Sequence, residues 1–372
     1  MKTRGAILRE VPGKWEVVDL DLDEPRRNEI TVEMVGSGLC HSELHIANGA
    51  FPIDHVPMCG GHEGAGVVVA VGPDTVGWSE GDHVAISCLP SCGKCHWCAN
   101  GQGNLCDYTA HLLTGARFDD PTSYRMRYNG EDVGQWCSVS CFAEHTTITI
   151  DQAVKIPKDV PLEKACLLGC AVDTGWGSTV NLAKPEPGHT VIIMGVGGVG
   201  SFALQGAVHA GATNVIACDP VAMKREVAES IGATHSAATI EEAAEIARTL
   251  TNGQGADSTV ITVGKLEAQM VADGLASIRK GGTTVVTGLG QFDDVGVPIS
   301  MFELTLYQKR LQGSMFGGTA PFRDIPRFLK MYTQGQLKLD ELITTTYTLD
   351  EVNQGYDDME AGKNMRGVIT FN

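Results

Sequence analysis

Val191-Ile192-Ile193-Met194-Gly195-Val196-Gly197-Gly198-Val199-Gly200 is a short apolar run that breaks into a GxGxxG turn and continues into helix-forming residues from Ser201 to Ala210. In this strand–turn–helix setting the glycines have distinct tasks. Gly195 makes the turn, Gly197 and Gly198 let a pyrophosphate approach the backbone, and Gly200 lets helix and strand pack closely. The helix N-terminus, opening at Val199, then favours the phosphate charge. GxGxxG alone also describes an ordinary βα turn. Here Asp219 closes the next strand, Asn214 to Cys218, where an acid accepts hydrogen bonds from ribose hydroxyls. A carboxylate there repels a 2′-phosphate, so the expected dinucleotide is NAD(H). Lys224 is either a second ribose contact or a solvated helix lysine.

Outward from this turn, helices and strands alternate. Helices are expected over about 222–231, 240–251 and 266–280, with strands at 258–263 and 283–288. This alternation predicts an α/β, doubly wound parallel sheet. The texture before residue 170 is different. Residues 1–90 hold short apolar or alternating runs, such as Glu29-Ile30-Thr31-Val32-Glu33-Met34-Val35, separated by Pro, Gly, Asp and Asn breaks. These predict a β-rich domain. Residues 107–140 read as a long irregular loop with short helical pieces. After residue 316 a helix over 322–333 and a β-like tail are expected.

A second dense motif lies in the β-rich part. Cys92, Cys95, Cys98 and Cys106 are spaced by three, three and eight, with Gly93, Gly101 and Gly103 permitting tight turns. Four thiolates so close suit one tetrahedral Zn²⁺. Disulfides would suit a small secreted protein, not a 372-residue chain. The net charge of −17 argues against nucleic-acid or anionic-membrane partners, and no apolar run reaches membrane-spanning length. Met1 leads directly into a strand-like run with no hydrophobic leader, so a cytoplasmic location is expected.

Three further stretches carry chemistry-bearing side chains. Cys40, His41, Ser42, Glu43 and His45 fall within six residues; His62 and Glu63 sit in a glycine-rich turn; Cys170 precedes the nucleotide-binding half. Read singly, these thiols could be core residues and His62 a turn histidine. Together with the four-cysteine lobe and the glycine turn, in this order along the whole chain, they resemble the zinc-containing medium-chain alcohol dehydrogenases.

The resemblance implies a GroES-like β-rich catalytic domain, residues 1–171 and 316–372, with a structural-zinc lobe at 88–107. A Rossmann domain, 172–315, is inserted into it, with the active site in the cleft between them. It implies a catalytic zinc on Cys40, His62 and Cys170 and a structural zinc on Cys92, Cys95, Cys98 and Cys106, two Zn per chain. Glu63 matches an acid behind the catalytic metal, and Glu43 a carboxylate that orients the ligand histidine, usually Asp. Ser42 and His45 match a proton relay. His41 and Arg366 match phosphate contacts, Thr174 and Val199 residues packed on nicotinamide, and Thr287, Ser314 and Phe316 positions whose backbones hold its carboxamide. Phe51, Cys88, Leu105, Trp136, Cys137, Leu289 and Met315 match pocket positions. Most are apolar, which suits a primary alcohol or aldehyde. Cys88 stands where many relatives carry Phe.

Ile261 to Leu266, Pro90 to Cys95, Gly313 to Gly318, Asp324 to Tyr332 and Gly362 to Ile369 resemble the nicotinoprotein branch, which retains NAD(H) and recycles it with an external electron acceptor. The family also implies a homodimer or homotetramer. Three alternatives remain: an ordinary dehydrogenase using NAD as cosubstrate, a thiol-dependent formaldehyde dehydrogenase, and a non-enzymatic zinc- and nucleotide-binding protein. The second would need polar or basic groups at the pocket mouth, which Phe51 and Trp136 do not supply and for which Arg117, Arg125 or Arg127 are candidates.

Overall fold

The computed structural model describes residues 1–371 and divides the chain into two compact units: Met1–Cys170 with the segment from Ala320 onward, and Ala171–Thr319. The expected boundaries lay at 171/172 and 315/316. The later one moves because Phe316–Gly318 packs into the second unit, where Asn181 Nδ2 donates to Gly317 O at 3.0 Å and a Cβ on Gly177 would lie 2.3 Å from that oxygen.

In the second unit six parallel strands run in the order His235–Ala237, Asn214–Cys218, Thr190–Met194, Ala256–Ile261, Ile278–Val286, Arg310–Gly313. Numbered along the chain this is 3-2-1-4-5-6, the doubly wound dinucleotide-binding order. The first strand, TVIIM, is wholly buried, as an all-apolar run in a sheet covered on both faces must be. Ile192, Ile216, Ile261 and Leu275 meet in its core. The longer helices are Gly198–His209, Ala222–Ser230, Ile240–Leu250 and Ala268–Ser277. The helix expected to reach 280 ends three residues sooner, because Ile278 takes up extended backbone and begins the next strand.

The first unit combines a closed five-stranded barrel with a seven-stranded sheet. The sheet is organised on Glu29–Gly38, which pairs along one side with Gly64–Val71 and along the other with His145–Thr149 and then Arg366–Thr370. The barrel corrects the reading of 107–140 as irregular. Met126–Tyr128 and Glu131–Gln135 form a hairpin and close the barrel against Glu16–Leu22 and Met58–Cys59. Asn129 and Gly130 both have positive φ, 52° and 85°, so the local signal was an Asn-Gly hairpin turn. The tail is also more than β-like: Val352–Glu360 is a helix between Ile343–Tyr347 and Arg366–Thr370.

Candidate metal and nucleotide sites

Cys40 follows the Glu29–Gly38 strand and precedes the helix His41–Ala47. His62 and Glu63 occupy the turn before Gly64–Val71. Gly61 has φ +84°, and a Cβ there would lie 2.5 Å from the Phe142 nitrogen, so only glycine lets His62 turn inward. Cys170 follows Cys166–Gly169; Cys88 N donates to Gly169 O at 3.0 Å, which ties the Cys88 strand end to it. One ligand atom each from Cys40, His62, Glu63 and Cys170 lies within 4.8 Å of the others, so residues over a hundred positions apart converge.

Glu43, fully buried, binds His62 Nδ1 through Oε1, and the Tyr356 hydroxyl donates to its Oε2 at 3.5 Å. Burial pushes the Tyr356 hydroxyl pKa up, so it stays a donor. The Trp136 indole Nε1 also lies 3.2 Å from His62 Nδ1. One ring nitrogen cannot both donate and accept. A proton on Nδ1 satisfies the carboxylate and leaves Nε2 for a metal, so Trp136 packs against the ring edge. Beside this set, Glu63 is paired with Arg366. Burial pushes the Glu63 carboxyl up to about 8 against the pull of Arg366. The Cys40 thiol is held well below its usual value by Cys170 and, against burial, by His62.

The remaining expected residues of this unit fall as follows. Ser42 Oγ is 3.6 Å from Cys40 Sγ, and His41 and His45 face each other with ring centroids 6.4 Å apart. Arg366, expected as a phosphate contact, is buried; its Nη2 is paired with Glu63, and its Nε has no partner among the described residues. Phe51 meets Trp136 edge-on at 6.4 Å, Cys88 and Cys137 are buried, and Leu105 lies in the four-cysteine lobe. The candidate basic groups are placed otherwise than expected. Arg117 and Arg125 are buried and both bind Glu29, while Arg127 pairs with Asp23 and Asp132. Arg117 and Arg125 tie their segment to the Glu29–Gly38 strand and Arg127 pairs along the barrel, so all three charges are engaged by carboxylates.

Trp136 and Cys137 belong to an unusual turn. Cys137, Ser138 and Ser140 all have left-handed backbone, φ 53°, 60° and 48°. Each such non-glycine residue costs about 1–2 kcal/mol and persists only where surrounding structure compels it.

In the lobe, the sulfurs of Cys92, Cys95, Cys98 and Cys106 lie within 4.8 Å of one another. Backbone N–H groups of Cys95, Cys98 and Cys92 donate to the sulfurs of Cys92, Cys95 and Cys106 at 3.4–3.5 Å. Such donors favour thiolate, and the Cys98 N–H leads the lowering of Cys95 to about 6. A four-thiolate set fits zinc, as does the cysteine–histidine set around His62.

In the second unit Gly195 has φ +88°, and a Cβ on Gly200 would lie 1.9 Å from Gly195 O. A Cβ on Gly197 would meet nothing nearer than Lys224 Nζ at 3.8 Å, so the turn keeps one open face with a cation beside it. Gly198 and Val199 begin the helix Gly198–His209. Asp219 accepts from Val196 N at 3.0 Å and Val221 N at 2.9 Å, which fixes its carboxylate beside the turn. These features fit a dinucleotide. Thr174, Thr287 and Ser314 are joined through Ser178, which sequence reasoning did not single out. Its hydroxyl donates to Thr174 O at 2.5 Å and lies 2.8 Å from Ser314 Oγ, and Thr287 Oγ1 donates to it at 2.9 Å. Phe316 follows with φ +54°. Leu289 and Met315 are exposed on this unit.

Residues 26–158 match the alcohol dehydrogenase GroES-like domain family, and residues 198–334 match the zinc-binding dehydrogenase family. The chain is 45% identical over 369 residues to the NDMA-dependent alcohol dehydrogenase of Amycolatopsis methanolica, covering 99% of each protein. It is 44% identical to alcohol dehydrogenase B of Mycobacterium tuberculosis, covering 100% of this chain and 99% of that one. Among solved structures it is similar to benzyl alcohol dehydrogenase from Acinetobacter calcoaceticus, with TM-score 0.92, 27% identity and full coverage of both chains.

Proposed function

Because the chain belongs to the zinc-containing medium-chain alcohol dehydrogenases, we propose that it interconverts primary alcohols and aldehydes while keeping NAD(H) bound between turnovers. The observation that carries the chemistry is the convergence of Cys40, His62, Glu63 and Cys170. Likeness to the Amycolatopsis enzyme supports the retained cofactor and an external electron acceptor.

Cys40, His62 and Cys170 would hold the catalytic zinc, and Cys92, Cys95, Cys98 and Cys106 the structural one. Bound zinc supplies Lewis acidity that makes an alcohol proton easy to lose, and NAD⁺ supplies the hydride acceptor. Glu43 orients His62 by accepting at Nδ1. Ser42 takes the alcohol proton and His45 passes it to solvent. Gly195, Gly197, Gly198 and Gly200 admit the pyrophosphate, and Asp219 holds the adenosine ribose. Phe51 and Trp136 keep water from the reacting carbon. With NAD⁺ bound, one alcohol would yield one aldehyde, one proton and NADH, whose hydride the external acceptor would take up together with a proton.

The edge strand Arg310–Gly313 is exposed along its whole length, and Phe302 and Leu306 are exposed nearby. This supports a homodimer or homotetramer through the nucleotide unit. No cysteine forms a disulfide among the described residues, which supports a reducing cytoplasmic setting. No helix among them is long and apolar enough to cross a membrane.

The test is protein purified without added NAD. Dihydronicotinamide absorbance in the preparation, zinc in both clusters, and alcohol turnover with a nitrosoaniline acceptor are expected. Complete dependence on added NAD would return the protein to the ordinary dehydrogenases. Undiminished turnover by Cys40→Ala would overturn the catalytic role of the cluster.

A further inference from the structure

We propose that Gln152 is a positioning residue that sets the size of alcohol accepted beside His62. The inference rests on the alcohol-oxidising reading of the site and extends it to a residue that touches neither metal nor substrate.

The wall beside His62 comes from two chain segments that are distant in sequence. One is the strand end at Ser87 and Cys88, tied to Gly169 next to Cys170. The other is the left-handed turn from Trp136, whose indole lies against His62. Gln152 joins them. It is completely buried at the end of the short turn Ile150–Gln152. Its Nε2 donates to Cys137 O at 2.9 Å and Cys88 O at 3.2 Å, with Ser87 O at 3.4 Å sharing a proton. Three carbonyls facing one group fix the amide with nitrogen toward them, and its Oε1 has no partner among the described residues.

The left-handed turn is held from its other side by Arg125. Arg125 Nη1 donates to Gln135 Oε1 and Ser138 Oγ, both at 3.0 Å, and Nε donates to Glu29 at 2.7 Å. Arg125 fixes the turn to the barrel, whereas Gln152 fixes its distance from Cys88. Without the carboxamide, two buried carbonyls lose their donors, and they part to reach other partners. The gap between Cys88 and Cys137 then widens while Cys40, His62 and Cys170 stay in place.

Gln152→Met keeps the length and removes both donors. Its expected effect is a KM change for benzyl alcohol at least ~5-fold larger than for ethanol, with kcat for ethanol and zinc content unchanged, since a displaced wall alters binding of the larger substrate first. Trp136 gives a second readout: its emission, taken as the difference from a Trp136→Phe blank, shifts to the red. Gln152→Asn keeps an amide too short to span both carbonyls and shows the same signs if the Met variant does not fold. A lowered melting temperature with unchanged KM ratio and unchanged Trp136 emission makes Gln152 merely structural and overturns the proposal, as does failure of both variants to fold. If the unaltered protein turns over no alcohol, the functional reading fails by itself, and the Trp136 shift alone decides whether Gln152 positions the wall.

Discussion

Glu43→Gln isolates the charge that orients the metal-binding histidine. The substitution keeps the shape of a fully buried side chain whose Oε1 takes the His62 Nδ1 proton and whose Oε2 receives Tyr356. A hydrogen bond to an ionised acceptor contributes ~1.5–3 kcal/mol, and one to a neutral amide ~1 kcal/mol. The difference, ~0.5–2 kcal/mol, corresponds to roughly 2–30-fold weaker zinc binding at 1.4 kcal/mol per factor of ten, reaching at its upper end the usual ~10–100-fold for groups behind a metal ligand. The assay is competition with a chromophoric chelator on metal-stripped protein titrated with zinc. The cysteine lobe serves as an internal reference, because Glu43 is not one of its ligands. The catalytic-site phase is expected to shift and the lobe phase to stay. Equal affinities for Gln and Glu would refute the assignment of the Nδ1 proton, and an equal shift of both phases would reveal a general loss of structure.

Cys98→Ser is expected to release about one of about two zincs per chain and lower the melting temperature, with KM for alcohol little changed; metal analysis and calorimetry check this. Asp219→Ser removes the carboxylate beside the glycine turn, so cofactor-free protein is expected to bind NADP roughly 10-fold or more better relative to NAD. Glu29 gives a pH signature. Burial would raise its pKa, but Arg125, the Arg26 N–H and Arg117 prevail and hold it below the ordinary 4.5. Its folded value is thus below its unfolded one, so its stabilisation is complete above the ordinary value and is lost as pH falls through the lowered folded value. Glu29→Gln is expected to be ~3–5 kcal/mol less stable at neutral pH, because the buried Arg125 loses its counter-ion and Arg117 keeps only Asp23, at 3.6 Å. Its stability is also expected to vary less than the parent's below about pH 4.5, by urea unfolding.

What the sequence disclosed depended on how local each cause was. The glycine turn and the four-cysteine lobe each lie within sixteen residues, and their spacing alone stated their geometry. Cys40, His62 and Cys170 have no common spacing; only the sheet on Glu29–Gly38 and the Gly169 contact bring them together. Tyr356 and Gln152 carried no signal, because each acts through a partner more than sixty residues away. Arg125 was misread for the same reason: a charged residue in a polar stretch suggests surface, and its partner Glu29 lies 96 positions earlier. The Asn129-Gly130 hairpin was local and legible, but its strands are too short to show alternation.

The place of Arg366–Thr370 in the sheet has a consequence for how the molecule is made. All four residues of the cluster around His62 have been synthesised by position 170, yet the Glu63 partner Arg366 leaves the ribosome roughly two hundred residues later, ~10–40 s at ordinary translation speeds. Once residue 313 has been made, the nucleotide unit, contiguous in sequence, has all its strands, while the unit that holds the metal ligands still lacks Ile343–Tyr347 and Arg366–Thr370 from its sheet. Biogenesis therefore runs opposite to reading order: the half encoded second is the first able to finish folding.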